Sequence, residues 1–164
     1  MNIKNRKKEH YSCDASKFRF TIVVSAYNEY LTAKLLEGAE ECFRAHRVPR
    51  NHCKVVFCPG AFELPQVANR LAAQKKVDAI VCLGAVVRGE TPHFEYVSSA
   101  AAQGILQVSL RWSLPVIFGV LTTDSVQQAL DRLGGKHGHK GWDAALTALK
   151  MADLFRSSAI KRRV

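Results

Sequence analysis

Apolar and polar positions along the chain alternate between two rhythms. Four short apolar runs, FTIVVS at 20–25, VVFC at 55–58, AIVCL at 79–83 and PVIFGVL at 115–121, have the length and β-branched content of buried strands. Between them apolar residues recur at helical spacing. Leu31, Leu35, Leu36, Ala39 and Phe43 form one set, Leu64, Val67, Ala68 and Leu71 within 63–73 a second. Val97, Ala101, Gly104, Ile105 and Val108, following His93, form a third. Two more helices are predicted over 124–133 and 141–155, the first opened by Asp124 with Gln127 at capping-box spacing. This alternation predicts a parallel sheet covered on both faces. With right-handed crossovers it is a three-layer, doubly wound α/β domain. Ligands in such folds sit beyond the carboxyl ends of the strands, so the exits at 26–28, 59–63, 84–93 and 122–123 should converge on one edge.

The third exit, GAVVRGETPHFEY at 84–96, carries the most chemistry. Gly84 reads as a turn closing the strand and Gly89 as a second glycine in the loop. Thr91 is placed to cap a helix whose first residue is Pro92. Unpaired N–H groups at such a helix start attract phosphate or carboxylate, and His93 in the first turn can move a proton near neutral pH. A plainer reading stands beside each of these: turn punctuation for the glycines, a surface position for the histidine. At the other exits, Tyr27 could stack on a planar ring or lid the core. Asn28 could donate to a ligand or cap the next helix. Glu63, after PGAF, could bind a polyol or simply favour the positive end of its helix. Arg132, late in its helix, could clamp phosphate or complement the helix C-terminus.

The 164 residues suit one domain, and 48% apolar with 23% charged content is that of a soluble globular protein. No run approaches the ~18 apolar residues of a membrane span, and the basic start lacks the apolar stretch of a secretory signal. Five cysteines without C-x-x-C spacing give a reduced-thiol, cytoplasmic pattern with no usual zinc spacing. The net charge of +10 is concentrated at the ends, with +4 in residues 1–19 and +4 in residues 156–164. A nucleic-acid groove would need that excess on the folded body. The ends therefore read as solvated arms, and specific nucleic-acid binding is not expected.

The blocks SAYNEYLTAKLLEGA, PGAFELP, LGAVVRGETPHFEYV, PVIFGVLTTDSVQQALDR and HKGWDAALTALKMA, in this order, resemble the lumazine synthase family. The resemblance covers nearly all of residues 20–154. It implies a flavodoxin-like domain at 20–155 with a four-stranded parallel sheet; the basic arm at 1–19 and the basic tail at 156–164 lie outside it. A neighbouring subunit's N-terminal segment could extend the sheet. The implied reaction condenses 5-amino-6-(D-ribitylamino)uracil with 3,4-dihydroxy-2-butanone 4-phosphate to 6,7-dimethyl-8-ribityllumazine, phosphate and water. This is the penultimate step of riboflavin biosynthesis, and the family uses no cofactor or metal for it. A flavin- or lumazine-binding or shell-forming relative without turnover is the alternative.

By the same resemblance Tyr27 would stack on the pyrimidine, with Asn28 beside it. Ala61, Phe62 and Glu63 would line the ribityl side, and Ala85, Val86 and Val87 would contact the ring. Glu90, Thr91 and Arg132 would hold phosphate, and His93 would transfer protons. Phe118, Arg132 and Lys140 would come from a neighbouring subunit. The implied partners are small-molecule substrates, copies of the chain in at least a pentamer with an icosahedral shell as the lean, and riboflavin synthase. Two positions depart from the family pattern: Tyr27 stands where phenylalanine or tryptophan is common, and His139 replaces the usual asparagine before the lysine–glycine pair.

Overall fold

The computed structural model describes residues 13–157. Most of the basic arm and tail lies outside the described residues. The strands are β1 (Phe20–Ser25), β2 (Cys53–Cys58), β3 (Ala79–Val87) and β4 (Val116–Thr123). They form one parallel sheet in the order β2-β1-β3-β4. The helices are α1 (Glu29–Ala45), α2 (Leu64–Ala72), α3 (His93–Trp112), α4 (Val126–Leu130) and α5 (Lys140–Arg156). One face of the sheet, with Ile22, Val24, Val81 and Leu83, packs on α1, α4 and α5; the other, with Val23, Ile80 and Cys82, packs on α2 and α3. Burial on both faces is why the strands read as unbroken apolar runs.

The α1–α5 crossing is tight enough to require glycine on both helices. A Cβ at Gly141 would lie 1.9 Å from the Leu35 carbonyl oxygen, and one at Gly38 would lie 2.0 Å from the His139 ring. Ahead of β1, a 3-10 turn at Ala15–Lys17 seats Ala15 and Phe18 in the core.

Several expected boundaries move. β3 does not end at Gly84 but runs to Val87, because β4 continues alongside it as far as the Val87–Thr123 pair. Gly84 is therefore a buried strand residue and not a turn, and Thr122 and Thr123 belong to β4. α3 starts at His93, with Pro92 at the cap position and no side-chain cap, so Thr91 is not the cap. The capping box before α4 is displaced by one residue. Ser125 Oγ accepts from the Gln128 N–H at 3.2 Å, and Gln128 Oε1 accepts from the Asp124 N–H at 2.9 Å. α4 ends at Leu130, which leaves Arg132 outside the helix. No strand is predicted after it from the sequence, but β5 (Leu133–Gly135) and β6 (Gly138–His139) form a small antiparallel hairpin.

Candidate active site

Four hydrogen bonds join the strand exits. The Ala26 and Tyr27 N–H groups donate to the Cys58 and Pro59 carbonyls at 2.8 and 3.0 Å, joining β1 to β2. Asn28 Nδ2 donates to the Ala85 carbonyl at 2.8 Å, joining β1 to β3. The Arg88 N–H donates to the Thr123 carbonyl at 2.9 Å, joining β3 to β4. Asn28 occupies the left-handed region at φ 59° and makes no side-chain cap. Its amide instead extends the β1–β3 ladder beyond its last pair, Val24–Leu83. The expected convergence of exits on one edge is thus present, with Asn28 as the tie.

On this edge the rings of Tyr27 and Phe62 are 71% and 58% exposed, a large apolar display for a single chain. Phe62 lies in a 3-10 turn, Ala61–Glu63, that leads into α2 with Ala61 buried. The half-buried Glu63 folds back, so that a Cβ at Gly60 would lie 2.8 Å from Oε2. Ala85 is buried, and Val86 and Val87 are half-buried. Beyond them the exposed Glu90, Thr91 and His93 stand where the loop enters α3. An open cavity of about 320 Å³ is lined by Arg88, Gly89, Glu90, Thr91, Pro92 and Glu95.

Phe118 and Lys140 line a separate surface, with Arg132 next to Lys140. Phe118, 43% exposed, lies opposite Cys82 in β4. With Lys140, Asp143, Ala144 and Thr147 of α5 it lines an open groove of about 400 Å³. Lys140 Nζ pairs with Asp143 at 2.9 Å. Across the hairpin, the Lys140 N–H donates to the Arg132 carbonyl at 2.8 Å, which places Arg132 beside Lys140. Arg132 Nη1 donates to the Gln128 carbonyl at 3.1 Å, so it meets the C-terminal end of α4 from outside the helix. Among the described contacts, none joins these three residues to Tyr27, Glu63 or His93.

His139 caps α5. Its Nδ1 accepts from the Trp142 N–H at 3.4 Å, a role that requires an unprotonated nitrogen. Burial pushes its pKa below the ordinary value of 6.5, against the opposing pull of Glu41, Asp143 and Glu37. The thiols near the sheet are unsuited to chemistry at neutral pH, since burial pushes Cys58 up to about 11 and Cys53 up to about 12. Sequence reasoning missed the network around Arg88, whose carboxylate partners Glu95 and Asp124 come from α3 and from beyond β4. Its one local signal is an arginine directly before Gly89.

Comparison with known proteins agrees with this architecture. The sequence profile of the family described as 6,7-dimethyl-8-ribityllumazine synthase matches residues 17–156. Curated proteins named 6,7-dimethyl-8-ribityllumazine synthase from two strains of Clostridium kluyveri are each 47% identical over 143 residues. That alignment covers 87% of this chain and 93% of each relative.

Proposed function

The chain belongs to the 6,7-dimethyl-8-ribityllumazine synthase family and is a transferase of riboflavin biosynthesis; from that premise we propose how its own residues divide the work. The uracil substrate lies on the laced edge of the sheet, with its ring against Tyr27 and the backbone of Ala85, Val86 and Val87. Its ribityl chain runs along Ala61 and Phe62, with hydroxyls donating to Glu63. The butanone phosphate lies at the loop into α3. There the N–H groups of Glu90 and Thr91 take the phosphate, and Arg132 of a neighbouring subunit neutralises it. Phe118 and Lys140 of that neighbour close the ring side. What supports a shared site is that Phe118 and Lys140 line a groove of their own, and that no described contact joins them or Arg132 to Tyr27, Glu63 or His93.

The reaction joins the 5-amino nitrogen of the uracil to the ketone carbon, and the adduct loses water to give an imine. A proton leaves carbon as the C–O bond to phosphate breaks, and the ribitylamino nitrogen then closes the second ring with loss of water. His93 beside the phosphate loop is placed to take and return these protons. General acid–base help is typically worth ~10²–10⁴-fold, and holding two reactants in register can contribute more. Orientation by the laced edge therefore outweighs His93. The observation that carries this reading is the set of four exit-to-exit hydrogen bonds, which bring ring, polyol and phosphate candidates to one edge.

The assembly is a ring of at least five copies closed by cyclic symmetry, with an icosahedral shell as its larger form. Support comes from Tyr96, Leu106 and Leu110 on α3, all more than half exposed in the single chain. The reduced-thiol composition supports a cytoplasmic enzyme, whose product riboflavin synthase would receive. The test mixes purified protein with both substrates, follows lumazine absorbance and phosphate release, and relates activity to molar mass by sedimentation. Turnover confined to the assembled form is expected; a fully active monomer would refute the shared site. His93→Ala should slow turnover and leave uracil binding largely intact.

A further inference from the structure

Arg88 stands at the start of the loop that carries Glu90, Thr91 and His93, and its contacts reach beyond that loop in two directions. Its Nε donates to Asp124 Oδ1 at 2.7 Å, just past the end of β4. Its Nη1 donates to Glu95, and its guanidinium carbon lies 4.2 Å from the centre of the Phe94 ring, both in the first turn of α3. Its own N–H donates to the Thr123 carbonyl. One side chain thus fastens the loop's two ends to each other and to the neighbouring strand exit. The planar fork of a guanidinium permits this, whereas a lysine ammonium would be a point charge without the stacking face.

The electrostatics set Arg88 apart from a phosphate ligand. Two carboxylates surround one cation, so the cluster presents a net negative charge to the cavity lined by Arg88, Glu90, Thr91 and Glu95. Arg88 holds the Glu95 carboxyl below the usual carboxylate range. A single exposed pair contributes little. Here, however, both pairs and the ring contact share one guanidinium, and together they restrain a loop of only four residues between Arg88 and α3.

We propose that Arg88 is a positioning residue for the condensation: it clamps residues 89–92 so that the N–H groups of Gly89, Glu90 and Thr91, with His93, meet the phosphate in one geometry, and it does not itself bind that phosphate. This rests on the placement of the butanone phosphate at the loop proposed above.

The test compares Arg88→Ala, Arg88→Lys, Asp124→Asn and Glu95→Gln in the full chain, measuring KM for each substrate and hydrogen exchange over residues 86–96. The clamp predicts that Asp124→Asn and Glu95→Gln each raise the KM for the butanone phosphate several-fold. Arg88→Ala should raise it about tenfold, with the uracil KM changing less than about twofold. Arg88→Lys should recover only part of the loss, and exchange over the segment should quicken in all four variants. If Arg88 were a direct phosphate ligand, removing either carboxylate would free it and lower that KM; this result would overturn the proposal. Equal rises in both KM values would also overturn it, as would unchanged exchange. Exchange is read without substrate. A wild-type protein lacking turnover would sink the functional reading alone, and quickened exchange would still uphold the clamp.

Discussion

Replacing Asn28 isolates the tie between β1 and β3. The residue contributes in two ways: its left-handed backbone at φ 59° suits asparagine, and its amide satisfies the Ala85 carbonyl beyond the end of the β1–β3 ladder. Asn28→Gly keeps the backbone and loses the bond, which costs about 1 kcal/mol for a part-buried pair. Asn28→Asp tolerates the same backbone but sets a carboxylate against the carbonyl, so it should cost slightly more. Asn28→Ala loses the bond and adds the left-handed penalty of about 1–2 kcal/mol, for a total of about 2–3 kcal/mol. Urea unfolding with linear extrapolation separates these values. The same variants should raise the KM for the uracil substrate more than that for the butanone phosphate, because Ala85 lies under the proposed ring position. If glycine and aspartate variants match wild-type stability, the tie contributes nothing. If alanine matches glycine, the backbone argument fails.

Three other outcomes are expected. Gly141→Ala forces a Cβ to within 1.9 Å of the Leu35 carbonyl, so it should destabilise by about 3 kcal/mol or more, the upper range of overpacking; a loss below about 1 kcal/mol in urea would show that α5 simply shifts. Because the folded state depresses the His139 pKa, its neutral cap contributes fully above the ordinary value of 6.5. That contribution is lost as pH falls from there toward the folded value, since the unfolded chain takes up the proton first. His139→Asn keeps a cap without titrating and should flatten the stability profile below about pH 7; an unchanged slope would refute the assignment. Finally, co-refolding equal amounts of His93→Ala and Arg132→Ala should restore roughly a quarter of wild-type sites if neighbours share each site in a closed ring, whereas activity no higher than the average of the two variants would place both residues in one subunit's site.

Much of the site is legible in the sequence because strand exits are. Tyr27, Phe62, Glu63 and the loop to His93 each follow an apolar run, and a parallel sheet brings the ends of its strands to one edge whatever the loops do. The role of Asn28 is not legible. Its partner Ala85 is 57 residues away, and the local pattern offers only a ligand donor or a helix cap. Arg88 is similar: Glu95 lies near it in sequence, but Asp124 is 36 residues away and meets it only because β4 lies beside β3.

The sequence by itself determined the layers and the order of elements. Runs such as ILE-VAL-VAL at 22–24 must be buried on both faces, since Ile22 and Val24 enter one core and Val23 the other, and helical spacing of apolar residues supplies the cover. Only the tertiary structure decided where the elements stop. Gly84 interrupts the apolar run and reads locally as a turn, but the parallel ladder continues through it, because β4 offers hydrogen-bond partners up to Val87. The tertiary structure also decided the short α4, the hairpin before α5 and the glycine contacts of the α1–α5 crossing, each set by what one segment meets in another. Local patterns record whether a residue is buried. Backbone partners and close approaches depend on a second stretch of chain, and they become fixed only when the two meet.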